Sequence, residues 1–133
     1  KVSGSIKIVG SGTLTAIGGN LGCGIGTILG YSSGWHINIE DCTVIAQANG
    51  EEPAGIGSRG GAQCGDITIK NAMITSTGTQ YGAGIGTGKG GKCGNITITL
   101  KQGDTKEKFL GRMKGHTGVG AGYDGNCGTV TWR

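Results

Sequence analysis

An apolar–polar–apolar triplet recurs five times along the chain, as Ile6-Lys7-Ile8, Ile37-Asn38-Ile39, Ile67-Thr68-Ile69, Ile96-Thr97-Ile98 and Val130-Thr131-Trp132. Read by position number, successive copies start 31, 30, 29 and 34 residues apart. In a strand, each triplet turns its two apolar residues to one side and Lys7, Asn38, Thr68, Thr97 or Thr131 to the other, so only the first side can face a core. A second apolar column runs through Leu14, Val44 and Ile74, and a third through Ile25, Ile56 and Ile85. Three columns in a period near 30 residues predict a coil with three faces, each strand lying in parallel against its homologue on the next coil. Ile6, Ile37, Ile67, Ile96 and Val130 then stack as one inward ladder. Parallel crossovers are right-handed in about 98% of cases, which sets the expected hand. Propeller blades need a period of about 40–50 residues, so that alternative falls away. The pattern predicts an all-β, right-handed parallel β-helix (β-solenoid) of about four coils, a single domain over residues 1–133.

The same period places Cys64, Cys93 and Cys127 at one position, three residues before their triplets. Homologous Cα atoms on neighbouring coils, about 4.8 Å apart, fall inside the range a disulfide tolerates, yet side chains that point in parallel must twist to bond. The expectation is a buried ladder of thiols acting as small apolar residues. Cys23 shares a column with Ala54 and Ala83, and Cys42 matches Ala72, so the same role is expected of both. The longest spacing contains a charged segment, residues 101–114, where the pattern breaks. Phe109 and Met113, like Asp104 and Lys108, sit four residues apart and suit one helical turn, but Gly111 argues against a longer helix. A loop or frayed strand is expected there.

Composition sharpens this picture. The chain has 32 Gly and one Pro. Each Gly held in regular structure costs roughly 0.5–1 kcal/mol relative to Ala, so this many point to tight turns and close backbone approach. The Cys/Ala-Gly-Ile-Gly elements at 23–26, 54–57 and 83–86 are the expected corners. A formal charge of +4, spread without a Lys/Arg run, gives no nucleic-acid footprint. No apolar stretch is long enough to span a bilayer, and with neither initiator Met nor signal peptide the chain reads as a processed or excised fragment. Five cysteines leave at least one thiol unpaired, and no Cys/His spacing fits a metal, so neither metal nor cofactor is expected.

The Cys-Gly-x-Ile-Thr-Ile element at 64–69 and 93–98 and the Gly-Ala-Gly-Ile-Gly element at 82–86 resemble the Gly-rich β-helix repeats of secreted and surface proteins of gut bacteria. They are also loosely similar to a carbohydrate-binding β-helix family. The resemblance runs to the final 119–131 segment and implies an extracellular or cell-surface location, with a role in adhesion, glycan contact or surface architecture. It brings no catalytic residues, and the acidic calcium clusters of some carbohydrate-binding relatives are not evident.

Motifs that would carry chemistry fall short of it. Gly86-Thr-Gly-Lys-Gly-Gly-Lys92 is followed by Cys93, where a phosphate loop needs Ser or Thr, and by a strand where it needs a helix. Gly55-Ile-Gly57-Ser-Arg-Gly60 fails as a dinucleotide fingerprint for the same want of a helix. His36 and His116 lie in different coils, outside any triad pattern. Glu40-Asp41 and Glu51-Glu52 are adjacent pairs, and adjacent strand residues point apart, which does not suit glycoside chemistry. Polysaccharide lyases use parallel β-helices, but that is fold analogy alone. Asn95-Ile-Thr97 matches a glycosylation sequon within a strand, and the Thr68, Thr97, Thr131 row, interrupted by Lys7 and Asn38, is too irregular for ice binding.

The chain is therefore expected to be a non-catalytic structural or adhesive module. Both outermost triplets lie close to the termini, so neither end looks capped, and copies or neighbouring repeats are expected to meet end to end in a stalk or filament; the alternative is that Trp132, where other coils place Ile, covers an open end as a plug. The alternative is a carbohydrate-binding module using Tyr31, Trp35, Tyr81 and Tyr123, aromatics at turns whose faces suit sugar rings.

Overall fold

A computed structural model of the chain describes residues 4–27 and 35–133. The first coil consists of β1 (Ser5–Val9), β2 (Thr13–Ile17) and β3 (Ile25–Gly26), and the second of β4 (His36–Glu40), β5 (Thr43–Gln47) and β6 (Ile56–Gly57). The third has β7 (Ile67–Lys70), β8 (Met73–Thr77) and β9 (Ile85–Gly86). The fourth has β10 (Ile96–Thr99), the short helix α1 (Lys106–Gly111), β11 (Met113–Lys114) and β12 (Val119–Gly120), and β13 (Val130–Trp132) begins another. Each strand pairs in parallel with its counterpart one coil away, giving three sheets ordered β1-β4-β7-β10-β13, β11-β8-β5-β2 and β12-β9-β6-β3. This is a right-handed parallel β-solenoid of about four turns.

The pairing register follows the three apolar columns. Ile6 pairs with Ile37, Ile37 with Ile67, Ile67 with Ile96, and Ile96 with Val130. Leu14, Val44 and Ile74 align in the second sheet, and Ile25, Ile56 and Ile85 align in the third, joined by Val119. Ile37, Ile39, Val44, Ile56, Ile67, Ile69, Ile74, Ile85, Ile96 and Ile98 are all buried in one cluster. Burying a branched side chain of this size contributes about 1.5–3 kcal/mol, so the ladder is the main source of stability.

One corner column has to be glycine. A Cβ on Gly57 would lie 1.8 Å from the Gly86 carbonyl oxygen, and a Cβ on Gly86 would lie 1.8 Å from that of Gly120. Both residues also have φ near +135° to +139°. The Gly-Ile-Gly motif thus reflects carbonyls of one coil pressed against Cα atoms of the next.

The 101–114 segment departs from the expected loop or frayed strand. Thr105 caps α1, its hydroxyl accepting from the Lys108 N–H at 3.1 Å, and Glu107 lies in the first turn, where the helix dipole favours a carboxylate. Gly111 is the last helical residue, so the helix stops where its low propensity predicts. Arg112 then forms a two-pronged ion pair with Asp104, whose side chain is only 3% exposed, and donates through Nε to the Ile74 carbonyl at 3.1 Å.

The expectation of two uncapped ends also needs correcting. Phe109, 1% exposed, is held inside the last coil by α1, and Trp132 packs edge-on against it with ring centroids 5.4 Å apart. Trp132 occupies the register of Ile98, so its larger ring closes the layer that the Ile ladder leaves open. The first coil has no such plug among the described residues. Ile6 and Ile8 are partly exposed, and Leu14, on the inward side of β2, is 38% exposed.

Candidate functional site

Two places on the solenoid gather chemically able side chains: an aromatic corner beside the third sheet, and a column of thiols ahead of the first. The corner is built by backbone stacking. The Tyr81 N–H donates to the Glu51 carbonyl and the Tyr123 N–H to the Tyr81 carbonyl, both at 2.9 Å. This places the two tyrosines on consecutive coils, with ring centroids 5.6 Å apart and planes at 53°. The His116 ring meets Tyr123 edge-on at 5.9 Å, its backbone N–H shared between the carbonyls of Thr79 and Gly82. Lys89 sets its ammonium 5.0 Å from the centre of the Tyr81 ring, and Gln80 donates to the Tyr81 hydroxyl at 3.3 Å. Tyr123 is 46% exposed, whereas Tyr81 is half-buried. An exposed ring beside an amide, an imidazole and an ammonium offers one stacking surface and several hydrogen-bonding groups, a combination suited to a polar ring with hydroxyls.

Of the four aromatics expected to bind glycan, the structure brings together Tyr81 and Tyr123. Trp35 immediately precedes β4 in a different column: its carbonyl accepts from the Gly65 N–H at 2.6 Å, and a Cβ on Gly4 would touch its ring at 3.5 Å. Tyr31 lies outside the described residues. His116, Lys89 and Gln80 were missed by sequence reasoning. Tyr81 precedes β9 whereas Tyr123 follows β12, so the two stand at different positions of the repeat and no column pointed to their contact.

The thiol column lies where the repeat places it. The Cys64 N–H donates to the Lys92 carbonyl at 2.9 Å and the Cys93 N–H to the Asn126 carbonyl at 3.0 Å, which puts Cys64, Cys93 and Cys127 on three successive coils. All three are free; Cys64 is buried, whereas Cys93 and Cys127 are only half-buried, so this ladder is less enclosed than expected. Contact with the Cys64 thiol and burial push the Cys93 thiol well above the ordinary range. Burial, reinforced by Cys93, pushes Cys127 up to about 11. Burial pushes Cys23 up to about 12 and raises Cys42.

A polar ladder runs beside the thiols. His36 Nδ1 accepts from the Asp66 N–H, Asp66 Oδ1 from the Asn95 N–H, and Asn95 Oδ1 from the Thr129 N–H, each at 2.9 Å. Because Nδ1 of His36 is an acceptor here, its 3.9 Å approach to the Asp66 carboxylate is not an ion pair. The carboxylate and amide oxygens also explain the glycines that follow Cys93 and Cys127: a Cβ on Gly94 or Gly128 would lie 2.2 Å from the Asp66 or Asn95 side-chain oxygen.

Among the described residues, no group of three or more His, Cys, Asp or Glu is placed to hold a metal ion, and no helix is long and apolar enough to cross a membrane. No protein family, curated protein or solved structure compared with the chain matches it.

Proposed function

We propose that the chain is a non-catalytic structural or adhesive β-solenoid module of an extracellular or cell-surface stalk or filament, joined through its first coil. The observation that carries this reading is the contrast between the two faces of the coil stack. One is plugged by Phe109 and Trp132. Among the described residues, the other presents Leu14 and two five-residue strands, β1 and β2, at the edges of their sheets. Unpaired edge groups beside an uncovered apolar layer are a template for another coil. Such a face takes up another coil, whether of a second copy or of a neighbouring repeat. Sedimentation equilibrium is expected to give concentration-dependent dimers. Leu14→Lys, which puts a charge at the rim of the open layer, is expected to remove them while circular dichroism stays that of a β protein. A wild-type chain that stays monomeric at millimolar concentration would overturn association through this coil.

The Tyr81, Tyr123, His116, Lys89 and Gln80 corner favours a second reading, carbohydrate binding. On a glycan array, Tyr123→Ala is expected to weaken any signal at least about tenfold, the loss of roughly 1.4 kcal/mol of stacking and burial. Trp35→Ala is expected to leave it unchanged. A blank array removes this reading, and binding that depends on Trp35 relocates the site.

A further inference from the structure

We propose that Cys64, Cys93 and Cys127 form a covalent modification site that holds one intramolecular disulfide at a time, always through Cys93, with a low-molecular-weight disulfide such as oxidised glutathione as the oxidant. The geometry comes from the coil stack. β7, β10 and β13 run in register, and ahead of them Gln63, Lys92 and Asn126 form consecutive parallel bridges, so the cysteine beside each bridge lies above the next. Parallel neighbours about 4.8 Å apart lie within the Cα separation of 4.4–6.8 Å that a disulfide spans. Cys64 and Cys127 are two coils apart, about twice that spacing, which is beyond the reach of a disulfide. Cys93 therefore takes part in either possible bond. The other two cysteines have no such partner, because the neighbouring coils place Ala72 beside Cys42 and Ala54 beside Cys23.

The half-buried flank of the column admits a small disulfide. The Cys127 thiolate attacks one sulfur of oxidised glutathione, forming a mixed disulfide and expelling one glutathione thiolate, which takes up a proton. The Cys93 thiolate then attacks the Cys127 sulfur, forming the Cys93–Cys127 bond and expelling the second glutathione. Two protein thiols lose two protons and two electrons, and one oxidised glutathione becomes two reduced ones. Exchange can move the bond along the column: the Cys64 thiolate attacks the Cys93 sulfur, Cys64–Cys93 forms, and Cys127 leaves as thiolate. Three thiols always leave one free. Only thiolates attack, and the Cys93 and Cys127 thiols titrate above the ordinary range, so the reaction is slow at neutral pH and accelerates as pH rises.

The test uses the folded full chain. It is incubated with oxidised glutathione at about pH 7 and about pH 9, trapped with an alkylating agent, digested with trypsin without reduction, and the linked peptides are weighed. Cleavage after Lys70, Lys92 and Lys101 puts the three cysteines on separate peptides. Expected are Cys64–Cys93 and Cys93–Cys127 links, at most one per chain, forming faster at the higher pH. Cys93→Ser is expected to abolish both, whereas Cys64→Ser and Cys127→Ser each retain the remaining link. A direct Cys64–Cys127 link in the folded protein, persistence of a bond among these residues in Cys93→Ser, or no link in any variant shown by circular dichroism to be folded overturns the proposal.

Discussion

A single added methyl distinguishes glycines that stacking requires from those that merely turn the chain. At Gly86 the new Cβ would meet the Gly120 carbonyl at 1.8 Å with φ at +139°, and backbone on both coils would have to separate. At Gly90, where φ is +65°, nothing lies within 4 Å, and only the left-handed backbone is penalised. Gly90→Ala is therefore expected to cost about 1–2 kcal/mol. Gly86→Ala is expected to cost at least about 4 kcal/mol, in the exceptional range for one substitution, or to prevent folding. Urea denaturation of the two variants side by side measures the difference, and equal costs would mean that the corner does not stack this closely. The Gly-Ile-Gly repeat was visible in the sequence, but which of its glycines receives a carbonyl from the next coil was not. That depends on atoms about 30 residues away.

The element least legible in the sequence is α1. Charge-rich composition and Gly111 masked a six-residue helix whose stability is mostly tertiary, as expected for a segment too short to be helical alone. What holds it is the buried Phe109 and the Asp104–Arg112 pair across its ends. The Arg112 guanidinium, hydrogen-bonded to Asp104, holds that carboxyl below the usual aspartate range, although burial opposes the shift. A depressed folded-state value means that the pair's contribution is complete above the ordinary aspartate value near pH 4 and disappears as pH falls through the lower folded value. Asp104→Asn is thus expected to be less stable than wild type by about 1–3 kcal/mol at pH 7, with the gap narrowing steadily below about pH 4. Thermal melts across pH 2–7 check this, and a gap independent of pH would mean that the pair is not charge-assisted. The spacing of 34 residues announced an insertion, but nothing local revealed that Phe109 would turn inward onto Trp132.

At the scale of the whole molecule, the three-faced coil was legible because its signal is repeated and local. Alternation within each triplet sets the inward side, and the period aligns the columns, so the partners of Ile37, Ile67 and Ile96 follow from position alone. The candidate sites were legible only in part. The thiol column obeys the period and was found, while the tyrosines stand at different positions of the repeat and their pairing was not. A plug at Trp132 was legible as the alternative to an open end, because other coils place Ile there, but the part of Phe109 was not, since it lies where the pattern that defines the coils is interrupted. Methyl–methyl nuclear Overhauser spectroscopy on isoleucine-labelled protein tests the stack most directly, since successive ladder residues lie one strand spacing apart, about 4.8 Å, and residues two coils apart about twice that. Cross-peaks are expected between Ile37 and Ile67 and between Ile67 and Ile96, with none between Ile37 and Ile96. A strong Ile37–Ile96 cross-peak, or the absence of the two neighbouring ones, would contradict the solenoid.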